Sequence, residues 1–207
     1  MGRIKYHIPK IWKACSNDEM RPAMAYALIE DGFITATNGH IMIKTDLRAW
    51  KLGDDEDIIK KLNGKLIHRS TLQLIARKKW DVMQFTKDRI IVGDLGKPRQ
   101  EFKYDSMIIK DRTFKDIHGN EEKYPDYKEI YESLKTMERK GTDYFGFNPK
   151  LLANLDDCFV NHFNLKFEVY TRIAHIKVIP QQSDADGMEI GIIMPVRVDD
   201  IINPIDR

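Results

Sequence analysis

A chain of 207 residues suits one large domain or two small ones and can bury a core of its own. Hydrophobic content of 42% with 32% charged residues is that of a soluble globular protein, and no apolar run approaches the roughly 18 residues needed to cross a bilayer. The 34 basic and 32 acidic residues leave a net charge of only +2, so a nucleic-acid role rests on where the charges sit, not on their total.

The N-terminal stretch MGRIKYHIPK lacks the apolar segment of a secretory leader, and Tyr6 stands where a myristoylation signal needs Ser or Thr. Cytoplasmic residence is the expectation. Ile8, Ile11, Trp12 and Cys15 fall at helical spacing with Pro9 in the first turn, which predicts a helix ended by Ser16-Asn17-Asp18 and Pro22. MAYALIEDGFITATNGHIMIKTD then reads as three strands, with Asp31-Gly32 and Asn38-Gly39 as their turns. For Asn38-Gly39 the expectation is a type I′ turn, in which both residues take φ above zero.

A polar connector follows, with a short helical turn around Asp57 to Leu62. A second helix is predicted over RSTLQLIARKKW, capped by Ser70, with Leu72, Ile75, Ala76 and Lys79 on one side. DVMQFTKDRIIVGD and RQEFKYDSMII read as strands, turning at Lys87-Asp88 and between Gly93 and Pro98. The charged stretch 110–141 is a long, turn-rich connection. A third helix over NPKLLANLDDCF takes Asn148 as its cap and Pro149 as its first residue, with Leu151, Leu152, Leu155 and Phe159 as its apolar stripe. NLKFEVYT and IAHIKVIPQ alternate as a hairpin pair, and GMEIGIIMPVRVDD is a last strand stopped by Pro195.

The fold class is therefore α+β, with a helix-plus-strands unit recurring at about residues 7–48, 65–110 and 147–200 without a sequence repeat. No catalytic set emerges. His7, His40, His68, His118, His162 and His175 fall on different elements, and there is no phosphate loop, nucleophile elbow or zinc-binding histidine pair. The acidic run Asp54-Asp55-Glu56-Asp57 and the pair Asp156-Asp157 read as solvated. Cys15 and Cys158 share no metal-ligand spacing and read as two reduced, buried thiols, a chance disulfide being the alternative. An enzyme, a cofactor and a metal are all unexpected.

Three strings from distant places carry more. RPAMAYALIEDGFITATNGHIM, KYPDYKEIY and GIIMPVRVDD each have an ordinary reading as strand, turn and buried strand. In this order they resemble the bacterial DNA polymerase III β subunit, the sliding clamp. In that family RYxLNGVLLE with ATDGHRL forms one wall of a partner-binding pocket, FPDYRRV a second and VMPMRL a third. Arg21 to Met24 with Ala27 to Glu30, and Ala36 to Met42, match the first; Tyr124 to Ile130 match the second; Ile192 to Arg197 match the third.

The resemblance implies a shortened, DNA-clamp-like fold of three helix-plus-strands units, one and a half clamp domains, of the kind a phage or mobile element encodes. Residues 1–122 would be a clamp-like domain of two units, and 123–207 a linker plus a half domain. It further implies a pocket for clamp-interacting peptides of DNA polymerase or repair proteins. Met24, Thr37, Gly39, His40, Ile41, Met42, Pro125, Ile130, Ile192, Ile193, Met194, Pro195, Val196 and Arg197 would form it. Methionines suit a site that accepts related peptides, because they repack readily. Ile41 and Glu129 stand where the family usually has Arg, which should weaken acidic peptides. Lys10, Lys13, Arg69, Arg77, Lys78 and Lys79 would face double-stranded DNA without reading its sequence. The chain would act as a processivity factor, as a homo-oligomer for which a closed ring of four copies and a dimer are both open, or as a compact monomer. The alternatives are a non-encircling decoy that sequesters clamp-binding motifs, and a small nucleic-acid-binding α+β protein.

Overall fold

The computed structural model describes residues 8–50, 56–136, 148–159, 165–169, 176–180 and 189–194. Alternating apolar residues make three central strands, β1 (Tyr26–Glu30), β2 (Phe33–Thr37) and β3 (Ile41–Asp46), paired antiparallel through tight turns. At the first turn Asp31 and Gly32 both take positive φ, +53° and +81°. The second turn differs from expectation. The Asn38 N–H bonds the Ile41 carbonyl, so the central residues are Gly39 and His40, and of Asn38, Gly39 and His40 only Gly39 has positive φ (+86°). The Asn38 side chain explains the shift: its Oδ1 accepts from the N–H groups of His40 (2.9 Å) and Ile41 (3.0 Å). Thr37 Oγ1 accepts from the Gly39 N–H (3.1 Å) in the same turn.

In chain order there follow α1 (Glu56–Leu62), β4 (Lys65–His68), α2 (Arg69–Ile75), β5 (Val82–Phe85), β6 (Arg89–Gly93), β7 (Gln100–Lys103) and β8 (Ser106–Met107). A hairpin of β9 (Thr113–Lys115) and β10 (Glu121–Lys123) leads into α3 (Tyr127–Thr136). α4 (Pro149–Asp156), β11 (Leu165–Val169), β12 (Ile176–Pro180) and β13 (Glu189–Ile193) complete the described elements. The pairings give an eight-stranded sheet in the order β11-β12-β13-β3-β2-β1-β4-β8, and a smaller sheet β5-β6-β7. The fold class is α+β. No helix among the described residues is long and apolar enough to cross a membrane.

Three expectations need correction. The first helix is only a 3-10 turn, Ile11–Lys13, with another at Pro22–Ala25. Pro9 has no N–H to give, and the Lys13, Ala14 and Cys15 N–H groups bond the carbonyls three residues back, at Lys10, Ile11 and Trp12, while the flanking Lys10 and Ser16 N–H groups go to the Asp157 and Met24 carbonyls. The second helix stops at Ile75 instead of reaching Trp80, whose indole N–H instead takes the freed Ile75 carbonyl at 2.7 Å. Its cap is His68, whose Nδ1 accepts from the Ser70 N–H and lies 2.7 Å from Ser70 Oγ. The connection 110–141 is more regular than its composition suggests, holding the β9–β10 hairpin and α3. The third helix forms as predicted, with Asn148 Oδ1 accepting from the Lys150 N–H at 2.9 Å.

Strand alternation separates two cores. Ile29, Ile34, Ile41, Ile43, Val178 and Ile193 meet Ile11, Leu72, Ile75, Leu155 and Phe159 on the helix side, where β5 to β7 also pack. Cys15 and Cys158 lie here, both buried and free, and burial pushes the Cys15 thiol up to about 12. On the opposite face Tyr26, Leu28, Met42, Leu66 and Ile192 lie under Phe114, Tyr124 and Tyr127. The Tyr124 hydroxyl sits 3.2 and 3.0 Å from the carbonyl oxygens of Tyr26 and Thr35, satisfying a buried polar group while docking the connection on the sheet.

Gly191 marks the tightest point of the helix-side core: a Cβ there would lie 2.7 Å from Leu155 Cδ2 and 2.9 Å from Phe159 Cζ. Gly191→Ala should destabilise the chain by about 1–3 kcal/mol through overpacking, read as a lowered urea midpoint; an unchanged midpoint would contradict the packing. His68 supplies a second prediction. Burial is the largest cause lowering its pKa, helped by the nearby Arg69 and His118 and opposed by Asp105. The folded state thus favours neutral His68, so stability should fall as pH drops below the ordinary value of 6.5 toward the lower folded value. His68→Asn keeps a capping acceptor without the titration, and thermal melts between pH 7 and pH 5 should then show a shallower acid loss.

Candidate functional site

The β3–β13 pairing sets Ile192 opposite Met42 and Ile193 opposite Ile41, while β2 sets Thr37 opposite Met42. Paired residues share a face, so Thr37, Met42 and Ile192 form one row across three strands. Met42 and Ile192 belong to the core on the tyrosine side, and Ile130 of α3 packs against that same cluster. Ile41 and Ile193 point the other way and lie in the helix-side core, at 1% and 0% exposure. They therefore do not share the face of Met42.

The turn residues close one end of the row. A Cβ on Gly39 would lie 3.9 Å from Met24 Sδ and 2.8 Å from Arg21 Nη1, so Gly39 lets Arg21 and the Met24 thioether approach the turn. The Met194 N–H bonds the His40 carbonyl at 2.9 Å, and Met194 is 38% exposed. Met24, Gly39, His40 and Met194 thus surround one tip of the sheet. Pro125 lies between the anchored Tyr124 and Tyr127 at the start of α3. Pro195, Val196 and Arg197 lie outside the described residues.

The predicted DNA-facing cations are dispersed in their engagements. Lys10 and Lys13 both pair with Asp157, Lys10 at 2.8 Å, which ties the first 3-10 turn to the end of α4. Burial alone would raise the Asp157 carboxyl; hydrogen bonds from the two lysines overcome that and hold it below the ordinary carboxylate range. Lys78 pairs with Asp94 at 2.6 Å and lies 4.3 Å above the Trp80 ring. Arg69 is half-buried, whereas Arg77 and Lys79 are exposed.

Sequence reasoning did not find the cleft of about 440 Å³ between the loop at Ser16 to Pro22, the Tyr26–His68 edge and the β9–β10 turn. Ser16, His68, Arg69, Asp116 and His118 line it, apart from every predicted peptide-pocket residue. Only Arg69 had been singled out there, and no local spacing unites the rest. Glu30, which ends a matched segment of the first string but is no predicted site residue, receives the Tyr127 hydroxyl at 2.6 Å. Among the described residues no group of three or more metal-ligating side chains converges.

No protein-family model matches the chain, and no curated protein does. Solved structures match it over nearly its whole length. The β subunit of DNA polymerase from Streptococcus pyogenes aligns with a TM-score of 0.53 at 13% identity, covering 91% of this chain and 63% of that one. The Caulobacter crescentus β sliding clamp gives 0.52 at 13% identity over 94% and 65%, and the DNA polymerase III β chain of Streptococcus pneumoniae 0.52 at 12% over 95% and 67%. The chain spans about two thirds of the length of these clamp chains. Its fold is that of the DNA polymerase III sliding clamps, in partial form.

Proposed function

We propose that this chain is a sliding-clamp-like accessory protein of DNA replication, which holds short peptide motifs of polymerase or repair partners in a groove. The groove would open at the exposed Met194 beside the Gly39-His40 turn, over Met42 and Ile192, which are 3% and 2% exposed in the free chain. The observation that carries this reading is the gathering of Met42, Ile192 and Ile130, from three remote segments, into one apolar cluster beside Met24 and Met194. Flexible thioethers at the rim suit a site for several related peptides, and a few buried anchors carry most of the energy in such complexes.

DNA would be held through phosphates, with Arg77 and Lys79 as the cations available for it. The pairing of Lys10 and Lys13 with Asp157 favours a second reading, a decoy that binds clamp-interacting motifs without encircling DNA. Two lysines that share one carboxylate keep only one net positive charge between them, which weakens a phosphate-facing surface.

A fluorescein-labelled peptide with Leu and Phe anchors should bind the full chain, and Met24→Ala with Met194→Ala should weaken it about tenfold with unchanged circular dichroism. Absence of saturable anisotropy with the unmodified chain would remove the reading. For the DNA arm, retention on nicked circular plasmid that is lost on linearisation identifies encirclement. Peptide binding without any retention identifies the decoy. Retention on both forms that falls steeply with salt and ignores the peptide identifies simple electrostatic binding.

A further inference from the structure

We infer that Glu30 is a positioning residue for this groove, a latch that acts through Tyr127 to hold α3 and its Ile130 against Met42 and Ile192. The inference rests on the groove reading for its function but on separate contacts for its mechanism. Glu30 ends β1 and is partly buried, and three donors converge on its Oε2: the Tyr127 hydroxyl at 2.6 Å, Lys128 Nζ at 3.4 Å and Arg112 Nη1 at 3.5 Å. Lys128 also reaches Asp31 Oδ2 at 2.9 Å, so the first turn of α3 is held by two acids of the β1–β2 turn region.

The Arg112 guanidinium lies 4.9 Å from the Tyr127 ring centre and 5.8 Å from that of Tyr124, placing it against both aromatic anchors. Its Nε and Nη2 are buried with no hydrogen-bond partner among the described residues, so Glu30 is the carboxylate that compensates this cation. Asp111 and Arg112 both take positive φ, +49° and +64°, a costly backbone for residues with a Cβ. That bend carries Arg112 to the ring pair.

Helical spacing transmits the anchor. Tyr127, Ile130 and Tyr131 share one face of α3, so fixing the Tyr127 hydroxyl sets Ile130 one turn on, over the Met42–Ile192 cluster. Tyr131 completes the seat, with Lys44 Nζ 5.2 Å from its ring centre. β1, β2 and β3 are held by backbone pairing that does not use the Glu30 side chain, so loosening the latch should free α3 while leaving the sheet intact.

Hydrogen exchange on the full chain reads this directly. In Glu30→Gln and in Tyr127→Phe, amides of α3 should exchange about tenfold faster than in the unmodified chain while β1, β2 and β3 stay protected. The Leu/Phe peptide should bind about tenfold more weakly to each, and the double variant should be no worse than Glu30→Gln alone, because the Tyr127 hydroxyl acts through the Glu30 carboxylate. Should Glu30→Gln misfold around the uncompensated Arg112, Tyr127→Phe, which removes only a hydroxyl, still decides the matter. Unaltered α3 exchange in Tyr127→Phe, or additive losses in the double variant, would overturn the latch. Failure of the unmodified chain to bind the peptide would instead remove the groove reading, with α3 exchange still deciding whether Glu30 holds the helix.

Discussion

The pairing of β3 with β13 is the constraint on which the molecule's candidate site depends. Five residue pairs, from Glu189 opposite Thr45 to Ile193 opposite Ile41, join segments about 150 positions apart in the chain. Closing so long a loop costs entropy that grows only slowly with length, but the register must be right. A slip of β13 by one residue would turn Ile192 into the helix-side core and send Ile193 to the face of Met42. Two local features resist that slip. Gly191 is the residue that tolerates the approach of Leu155 and Phe159, and the buried Thr45 hydroxyl donates to Glu189 Oε1 at 3.1 Å.

A sheet with both faces buried needs two covers, and the chain supplies them from unlike material. The helix side is covered by aliphatic and aromatic residues of α2, α4 and the smaller sheet. The other side is covered by the connection through Phe114, Tyr124 and Tyr127, the two tyrosine hydroxyls reaching sheet carbonyls and a carboxylate. Aromatic residues with a polar tip do both jobs, removing apolar area from water and fixing orientation. This explains how a highly charged stretch can lie as a layer on a sheet.

Much of this architecture was legible in the residues. The strands of the central meander, the Asn148–Pro149 start of α4 and the β11–β12 hairpin obey local rules of alternation and capping that distant contacts do not disturb. Other elements were hidden for physical reasons. Ile8, Ile11 and Cys15 mark a buried face in a helix or in an irregular segment alike, and here the segment's own N–H groups close three residues back while both of its flanks are tied to Asp157 and Met24. The Asn38 side chain bonds its own turn and moves the bend by one residue, a competition that the Asn-Gly pair alone does not reveal. α3 was missed because Tyr124-Pro125-Asp126 announces a turn, and the tyrosine, isoleucine and tyrosine that follow acquire their stripe only against the sheet. For the site, the three strings identified the segments, while strand parity divided their residues between two faces.

The two buried thiols give the molecule a built-in clock. Cys15 lies just beyond the first 3-10 turn and Cys158 just beyond α4, both enclosed by the helix-side core and both with pKa values raised by burial. A thiol that is neither ionised nor reachable does not alkylate, so each can react only when its own layer parts from the sheet. The rate at which iodoacetamide finds them therefore times the breathing of that layer in the unmodified chain, with no label added.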